Sequence, residues 1–267
     1  MTTMEIPFGE PVAETTPEAA LDQDAEFLGI TEGTRPAAWK MAIYGKPGVG
    51  KSTLGTRARA PLFLDLENGL ARVDCVKTKH LKYLQNVLDA LDYVIKSPKF
   101  QTAVIDTIDE VENMLSKKVV YEHNKVNNVK VKAVDEIAWG RGGALLAAEW
   151  KSFIDKLTEV TDAGKNVLLI GHQQVIKFQN PADADYDFFT INVHKKSEGL
   201  VTAKLDAILF ARFETLVKTS GDDDKGKARA TGRRILQTNE GSSWVAKNRF
   251  GLPNTIPFDD FTFDSFN

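Results

Sequence analysis

Short apolar runs alternate along the chain with longer stretches in which apolar residues return every three or four positions. Trp39–Tyr44, Pro61–Leu66, Thr102–Thr107, Asn166–Gln173 and Leu205–Phe210 each have the length and apolar content of one buried strand. Between them, Leu84, Val87, Leu88, Leu91, Val94 and Ile95 recur at helical spacing and predict a core-facing helix that Ser97-Pro98 ends. A second helix is predicted from Asp109 to about His123. A third, long and amphipathic, is marked by Leu145, Leu146, Trp150, Phe153, Ile154, Leu157 and Val160 and stopped by Gly164. Gln174–Leu200 reads as a long polar connection. After Phe210 the pattern shifts to hairpins, Arg233–Thr238 and Ser243–Asn248 about the turn Asn239-Glu240-Gly241. Strands alternating with helices first and hairpins later predict an α/β fold: a mostly parallel sheet flanked by helices and extended by C-terminal antiparallel strands.

The ends of the chain differ from its middle. Residues 1–34 hold eight acids, no Lys or Arg, and Pro7, Pro11 and Pro17, which predicts a flexible acidic arm; Pro17–Leu28 admits a short helix. Residues 258–267 alternate acids with aromatics and are set apart as a tail, suited to a partner, to mimicry of DNA, or equally to an edge strand. The core is therefore placed at 35–257. The net charge of −3 hides this segregation, because the stretch between the tails carries 26 acids against all 34 bases, a net of +8. A basic body suits a polyanionic surface, and the acidic ends equally suit solvent. Cys75 is the only cysteine, which excludes an intrachain disulfide and suits a reducing, cytoplasmic setting. No apolar run approaches the roughly 18 residues of a membrane span, and Met1–Glu10 lacks the basic flank and apolar core of a signal peptide.

Directly behind the first strand stands Gly45-Lys46-Pro47-Gly48-Val49-Gly50-Lys51-Ser52, which fits G-x-x-x-x-G-K-[ST] at every fixed position. Gly45, Gly48 and Gly50 let the chain bend so that backbone N–H groups converge on one anion. Lys51 then reaches the β- and γ-phosphates, the Ser52 hydroxyl suits Mg²⁺, and the helix that begins about Lys51, with Thr53 in its first turn, adds its positive end. The pattern predicts binding of Mg-ATP or a related nucleotide. Asp106 closes an apolar strand some fifty residues on, where a carboxylate holds the metal's water shell. Thr107 follows it, so a water-activating acid must come from elsewhere. Glu67, at the exit of the Pro61–Leu66 strand, is the first candidate, ahead of Glu110 and Glu112.

With those parts in this order, the chain resembles the RecA-type recombinase core: a phosphate loop, a strand ending Asp65-Leu66-Glu67, an Asp106-Thr107 strand and a strand ending His172-Gln173. The resemblance implies a RecA-like P-loop NTPase fold with Glu67 as catalytic base. It also implies Gln173, with His172 sharing the task, as a sensor of the γ-phosphate. Lys247-Asn248-Arg249-Phe250-Gly251 is the same pentapeptide as a motif of bacterial RadA, a RecA relative in which the Lys reaches the nucleotide of the neighbouring subunit. By that resemblance Lys247 and Arg249 act in trans and the working form is a ring or filament. Over residues 36–258 the chain is also similar to small phage-encoded ATP-binding proteins of the single-strand annealing type, which implies single-stranded DNA as partner, alongside a single-strand-binding protein.

Three stretches are candidates for DNA contact. Gln174–Leu200 carries Lys177, Phe178, Phe188, Lys195 and Lys196, cations interleaved with aromatics as a single strand requires, although Tyr186–Val193 alternates equally like a hairpin with core aromatics. Trp139-Gly140-Arg141-Gly142-Gly143 is a glycine-rich turn, and Lys117, Lys118, Lys125, Lys130 and Lys132 form a basic run that equally suits a solvated helix face. The expected function is ATP hydrolysis coupled to single-stranded DNA in phage-type recombination or annealing. The rival readings are a nucleotide-switched replication adaptor or helicase loader, and a hexameric helicase-type motor.

Overall fold

The structure, a computed structural model, describes residues 37–178, 184–218 and 227–266. The acidic arm lies outside the described residues. Among the described residues nine strands form one sheet: β1 (Lys40–Gly45), β2 (Pro61–Asp65), β3 (Thr102–Asp106), β4 (Asn166–Phe178), β5 (Tyr186–Ile191), β6 (Ala207–Lys218), β7 (Lys227–Gln237), β8 (Lys247–Asn248) and β9 (Thr255–Pro257). The spatial order is β2-β3-β4-β1-β6-β7-β9, with β5 on β4 and β8 on β6. The first five strands of that order run parallel and the rest pair antiparallel, as the change from alternating elements to hairpins predicts. The main helices are α1 (Lys51–Gly55), α2 (Leu84–Lys96), α3 (Ile108–Asn127), α4 (Arg141–Asp162) and α5 (Lys195–Lys204).

Alternation along the strands divides the core in two. Ala42, Tyr44, Leu64, Ile105, Leu169 and Phe210 face the layer formed by α2, α3 and α4. Met41, Ile43, Phe63, Val104, Ile170 and Leu209 face the other side. Among the described residues that second side has only the one-turn α1 from the α-helices, and the C-terminal segment packs against the rest. Phe258, Phe261, Phe263 and Phe266 are all buried there, with Phe263 stacked on Trp39 at 5.5 Å and Phe266 edge-on to Phe250 at 4.8 Å. Arg57 clamps the segment by donating from Nη1 to the carbonyl oxygens of Phe258, Asp259 and Phe261. The expectation of a separate tail is thus corrected: its acids face solvent, but its rings complete the second core beside α1.

Two other local expectations change. The connection Gln174–Leu200 forms the β4–β5 hairpin, one of the two readings of Tyr186–Val193, and also contains α5, which the sequence pattern does not predict. The predicted pairing of Arg233–Thr238 with Ser243–Asn248 is replaced by β7 and β8 each pairing with β6, because β6 runs on to Lys218 and offers both of them an edge. The helix behind the phosphate loop spans five residues only. Among the described residues no helix is long and apolar enough to cross a membrane. Cys75 is half-buried at the rim of the second core.

Phe263→Ala should cost about 3–5 kcal/mol of stability, the range for emptying a buried aromatic site, and removal of residues 258–267 more than that. Urea unfolding checks this; a truncated protein with the wild-type midpoint would show that the rings are not core.

Candidate nucleotide-binding site

The parallel register brings the predicted chemistry to one edge. Gly45 is opposite His172 on β4 and Ala211 on β6, Asp65 is opposite Asp106, and Asp106 is opposite Ile170. These are the carboxyl ends of the strands, where side chains and loop N–H groups converge. The phosphate loop rises from β1 there and lines a cavity of about 390 Å³ with Asp65, Glu67, Asp106, Thr107 and His172. Two glycines of the loop are required by their surroundings. A Cβ at Gly45 would lie 2.1 Å from the Ala211 carbonyl oxygen. Gly50 sits at φ 104°, a conformation that strains any L side chain, and a Cβ there would press on the Phe258 ring at 3.2 Å. Phe258 thus both fills the second core and backs the loop.

Lys51 is buried and donates from Nζ to the carbonyl oxygens of Gly45 (2.9 Å) and Lys46 (3.1 Å), which uses two of its three hydrogens. Burial pulls its ammonium below the usual lysine range, against the attraction of Asp106, Asp109 and Glu67. Ser52 Oγ donates to Asp106 Oδ2 at 2.7 Å. Burial raises the Asp106 carboxyl above its ordinary value, and the Ser52 hydrogen bond only partly offsets this. A buried carboxylate beside a hydroxyl, facing an anion-binding loop, fits Mg²⁺, which takes oxygen ligands and keeps most of its waters. Ser52 and Asp106 would hold it. Lys46, Pro47, Gly48, Val49 and Thr53 belong to the same loop and its first turn, and Pro47, Gly48 and Thr53 line the cavity.

The residue after Asp106 has a distinct task. Thr107 Oγ1 donates to Glu67 Oε1 at 2.7 Å and holds that carboxylate across from Asp106. His172 Nδ1 lies 3.6 Å from Glu67 Oε1 and 3.4 Å from Asp109 Oδ2, and the His172 N–H donates to Asp109 Oδ2 at 2.9 Å. Glu110 and Glu112, the lesser candidates, do not line this cavity. Glu112 accepts from the Trp150 indole N–H and from the His194 N–H, and burial raises its carboxyl.

A model of one protein family, described as an AAA domain, matches residues 37–250. The chain belongs to the AAA domain family. No curated protein matches it closely enough to add to that assignment. As an AAA domain it is a nucleotide-binding protein of the P-loop ATPase type, for which ATP and ordinarily Mg²⁺ are the partners that the loop, Ser52 and Asp106 suit.

In this AAA domain the other predicted residues divide. His172, rather than Gln173, faces the cavity; alternation along β4 turns Gln173 to a neighbouring cavity with Lys46 and Trp244. Lys247 and Arg249 stand at the opposite edge of the parallel strands, because β8 pairs with Ala207 and Ile208 at the start of β6. There Lys247 Nζ donates to the Thr202 and Ala203 carbonyl oxygens at the end of α5, and Arg249 pairs with Asp206 at 3.1 Å. Burial, then Arg249, lowers the Lys247 ammonium from its ordinary value. Of the predicted DNA contacts, Arg141 opens α4 beside Trp139, which is 96% exposed, and Lys196 Nζ donates to the intervening Gly140 carbonyl at 2.6 Å. Lys195 and Lys196 start α5. Lys177 pairs with Asp187 across the β4–β5 hairpin, whose rings Phe178, Tyr186 and Phe188 cluster within 6.3 Å of one another. Lys118 of the basic run is paired with Glu149.

The residues that sequence reasoning misses are Asp65, Thr107 as a positioning group, and Asp109. Asp65 shares with Asp106 the signal of an acid closing an apolar strand. Asp109 gives no such signal, since an acid in the first turn of a helix is ordinary.

Asp106→Asn should stabilise the unliganded protein by about 0.5–2 kcal/mol at neutral pH, since it removes a desolvated charge from a functional site. A carboxyl whose folded pKa is raised holds its proton in the folded state more tightly than in the unfolded state. Wild type should therefore lose stability as pH rises from the ordinary aspartate value through the raised one. The variant lacks that loss, so its advantage should appear above that window and vanish below it. Thermal unfolding against pH without nucleotide checks this; a uniformly destabilised variant would contradict it.

Proposed function

We propose that this AAA domain is a RecA-like ATPase that works between subunits on single-stranded DNA, in phage-type homologous recombination or strand annealing. The observation that carries the ATPase reading is the hydrogen bond from Thr107 to Glu67. The position after Asp106 carries no acid, and its hydroxyl instead holds an acid delivered by the neighbouring strand. Lys51 and the loop N–H groups bind the phosphates, and Ser52 and Asp106 would hold Mg²⁺, whose chemistry when bound would be to neutralise charge on the phosphate oxygens. Glu67 takes the proton from the attacking water, with Thr107 fixing the carboxylate and His172 beside it. His172, which faces the cavity from β4, takes the γ-phosphate-sensing place expected of Gln173.

Intersubunit action is supported by the position of Lys247 and Arg249. They lie at the far edge of the sheet from their own phosphate loop, so a neighbouring copy is the recipient open to them. The DNA reading is supported by the net +8 charge outside the tails, the exposed Trp139 with Arg141, Lys195 and Lys196 nearby in the fold, and the aromatic hairpin with Lys177. Such a surface takes phosphates on cations and bases on rings.

Glu67→Gln should retain ATP binding and lower the hydrolysis rate by about 10²–10⁴-fold, the span for loss of a general base. Arg249→Gln and Lys51→Ala should each be inactive alone, yet active when mixed, because one supplies an intact loop and the other an intact Arg249. ATPase assays with and without a single-stranded oligonucleotide, beside a mass measurement with ATP, test the whole reading. Normal turnover by Glu67→Gln removes the assigned base; a protein that stays one copy with ATP and oligonucleotide removes the intersubunit site.

A further inference from the structure

Beside the phosphate cavity, on the other side of β4, lies a second cavity of about 540 Å³ walled by Phe189, Phe210, Phe213 and Trp244, with Arg212, Lys46 and Gln173 at its polar side. We propose that this cavity binds a nucleobase.

Its walls are built before any ligand arrives. Phe210 is stacked between Tyr44 at 4.8 Å and Phe189 at 5.5 Å, and Trp244 stands 6.3 Å from Phe210. The Tyr44 hydroxyl donates its one hydrogen to the Val245 carbonyl oxygen at 2.6 Å, with the Phe189 carbonyl oxygen at 3.2 Å sharing it, which ties β5 and the 243–245 segment to β1. That buried hydroxyl is held protonated far above the usual tyrosine range, chiefly by desolvation, so the tie persists at every working pH. The Phe189 N–H donates to the Ser243 carbonyl and the Val245 N–H to the Phe189 carbonyl, which fixes the same two segments to each other.

The polar groups define the occupant. The Arg212 guanidinium lies over the Trp244 ring at 5.2 Å, and its Nη2 is 3.1 Å from the Gln237 side-chain amide. Its Nε is a buried donor with no partner among the described residues. Among the described residues no carboxylate lines the cavity, so those residues offer a metal or a cationic ligand no counter-charge. Flat apolar walls, a guanidinium and an amide that both donates and accepts suit a heteroaromatic ring with edge acceptors, and the Lys46 ammonium suits an attached phosphate. Because Lys46 belongs to the phosphate loop and Gln173 follows His172, an occupant here touches the same two segments that surround the triphosphate.

A base can come from a single strand or from a bound nucleotide itself. The strand as source rests on the single-strand reading above; the nucleobase chemistry does not. Phe213→Ala removes a wall ring that is 40% exposed, and Arg212→Lys keeps the charge but removes Nε and the flat guanidinium. With the full chain, anisotropy of a fluorescent oligo(dT) and fluorescence of mant-ATP are measured for both variants, alongside their melting curves. Both variants should bind oligo(dT) about 5- to 100-fold more weakly, the span for losing one stacked base, with mant-ATP affinity unchanged. Weakened mant-ATP with unchanged oligo(dT) supports the cavity and assigns the base to the nucleotide. Wild type that binds no oligo(dT) defeats the single-strand reading, and mant-ATP alone then decides the cavity. Unaltered affinity for both probes in variants that melt like wild type overturns the proposal. Should a variant not fold, wild type cross-linked to 4-thiothymidine in oligo(dT) decides the strand source: label on the peptides of Phe213 or Trp244 supports it, and label confined elsewhere overturns it.

Discussion

Lys51 and Asp106 are buried at the same edge of the sheet, and neither has a counter-ion within ion-pair distance among the described residues. Lys51 is satisfied by two carbonyl oxygens of its own loop, and Asp106 by the Ser52 hydroxyl. Desolvation shifts both groups toward their neutral forms. Burying a charge without its partner is unfavourable, and the cost falls when the missing charges arrive together as a polyanion and a divalent cation. The site is thus poised for a metal-bound phosphate chain, and the packing on either side of the sheet holds its groups in place.

That rigidity comes from both faces of the sheet. On one, α2, α3 and α4 cover the strands in the ordinary manner of α/β proteins. On the other, the C-terminal phenylalanines do the work of helices, and Phe258 reaches the loop itself at Gly50. Core packing and loop geometry therefore share a residue, so a change in the last ten positions is felt at the phosphate site. The same sheet separates these groups by edge: phosphate loop, Glu67 and His172 at the carboxyl ends, Lys247 and Arg249 at the amino end of β6.

The phosphate loop, the five parallel strands and the two longest helices were legible because each carries a periodicity or spacing that tolerates few other conformations. Asp106 and Glu67 were legible by the same means, as acids at strand exits. The α5 helix was not, since Lys195–Lys204 buries only Ser197 and Val201 and has no apolar stripe. The C-terminal segment misled because acids alternating with rings describe a solvated tail and an anchored one equally well; the deciding fact is a bare sheet face elsewhere in the chain. His172 and Gln173 could not be separated along the sequence, because a one-residue step in β4 exchanges the cavity each faces.

The affinity for ATP as a function of Mg²⁺, in wild type and Asp106→Asn, tests the account most directly. Wild type should bind ATP more tightly as Mg²⁺ is added. The variant should bind metal-free ATP at least as well as wild type and lose about tenfold or more of the gain from Mg²⁺, as for loss of one charge-assisted contact. An identical response to Mg²⁺ in the two proteins, or no ATP binding by wild type, would contradict it.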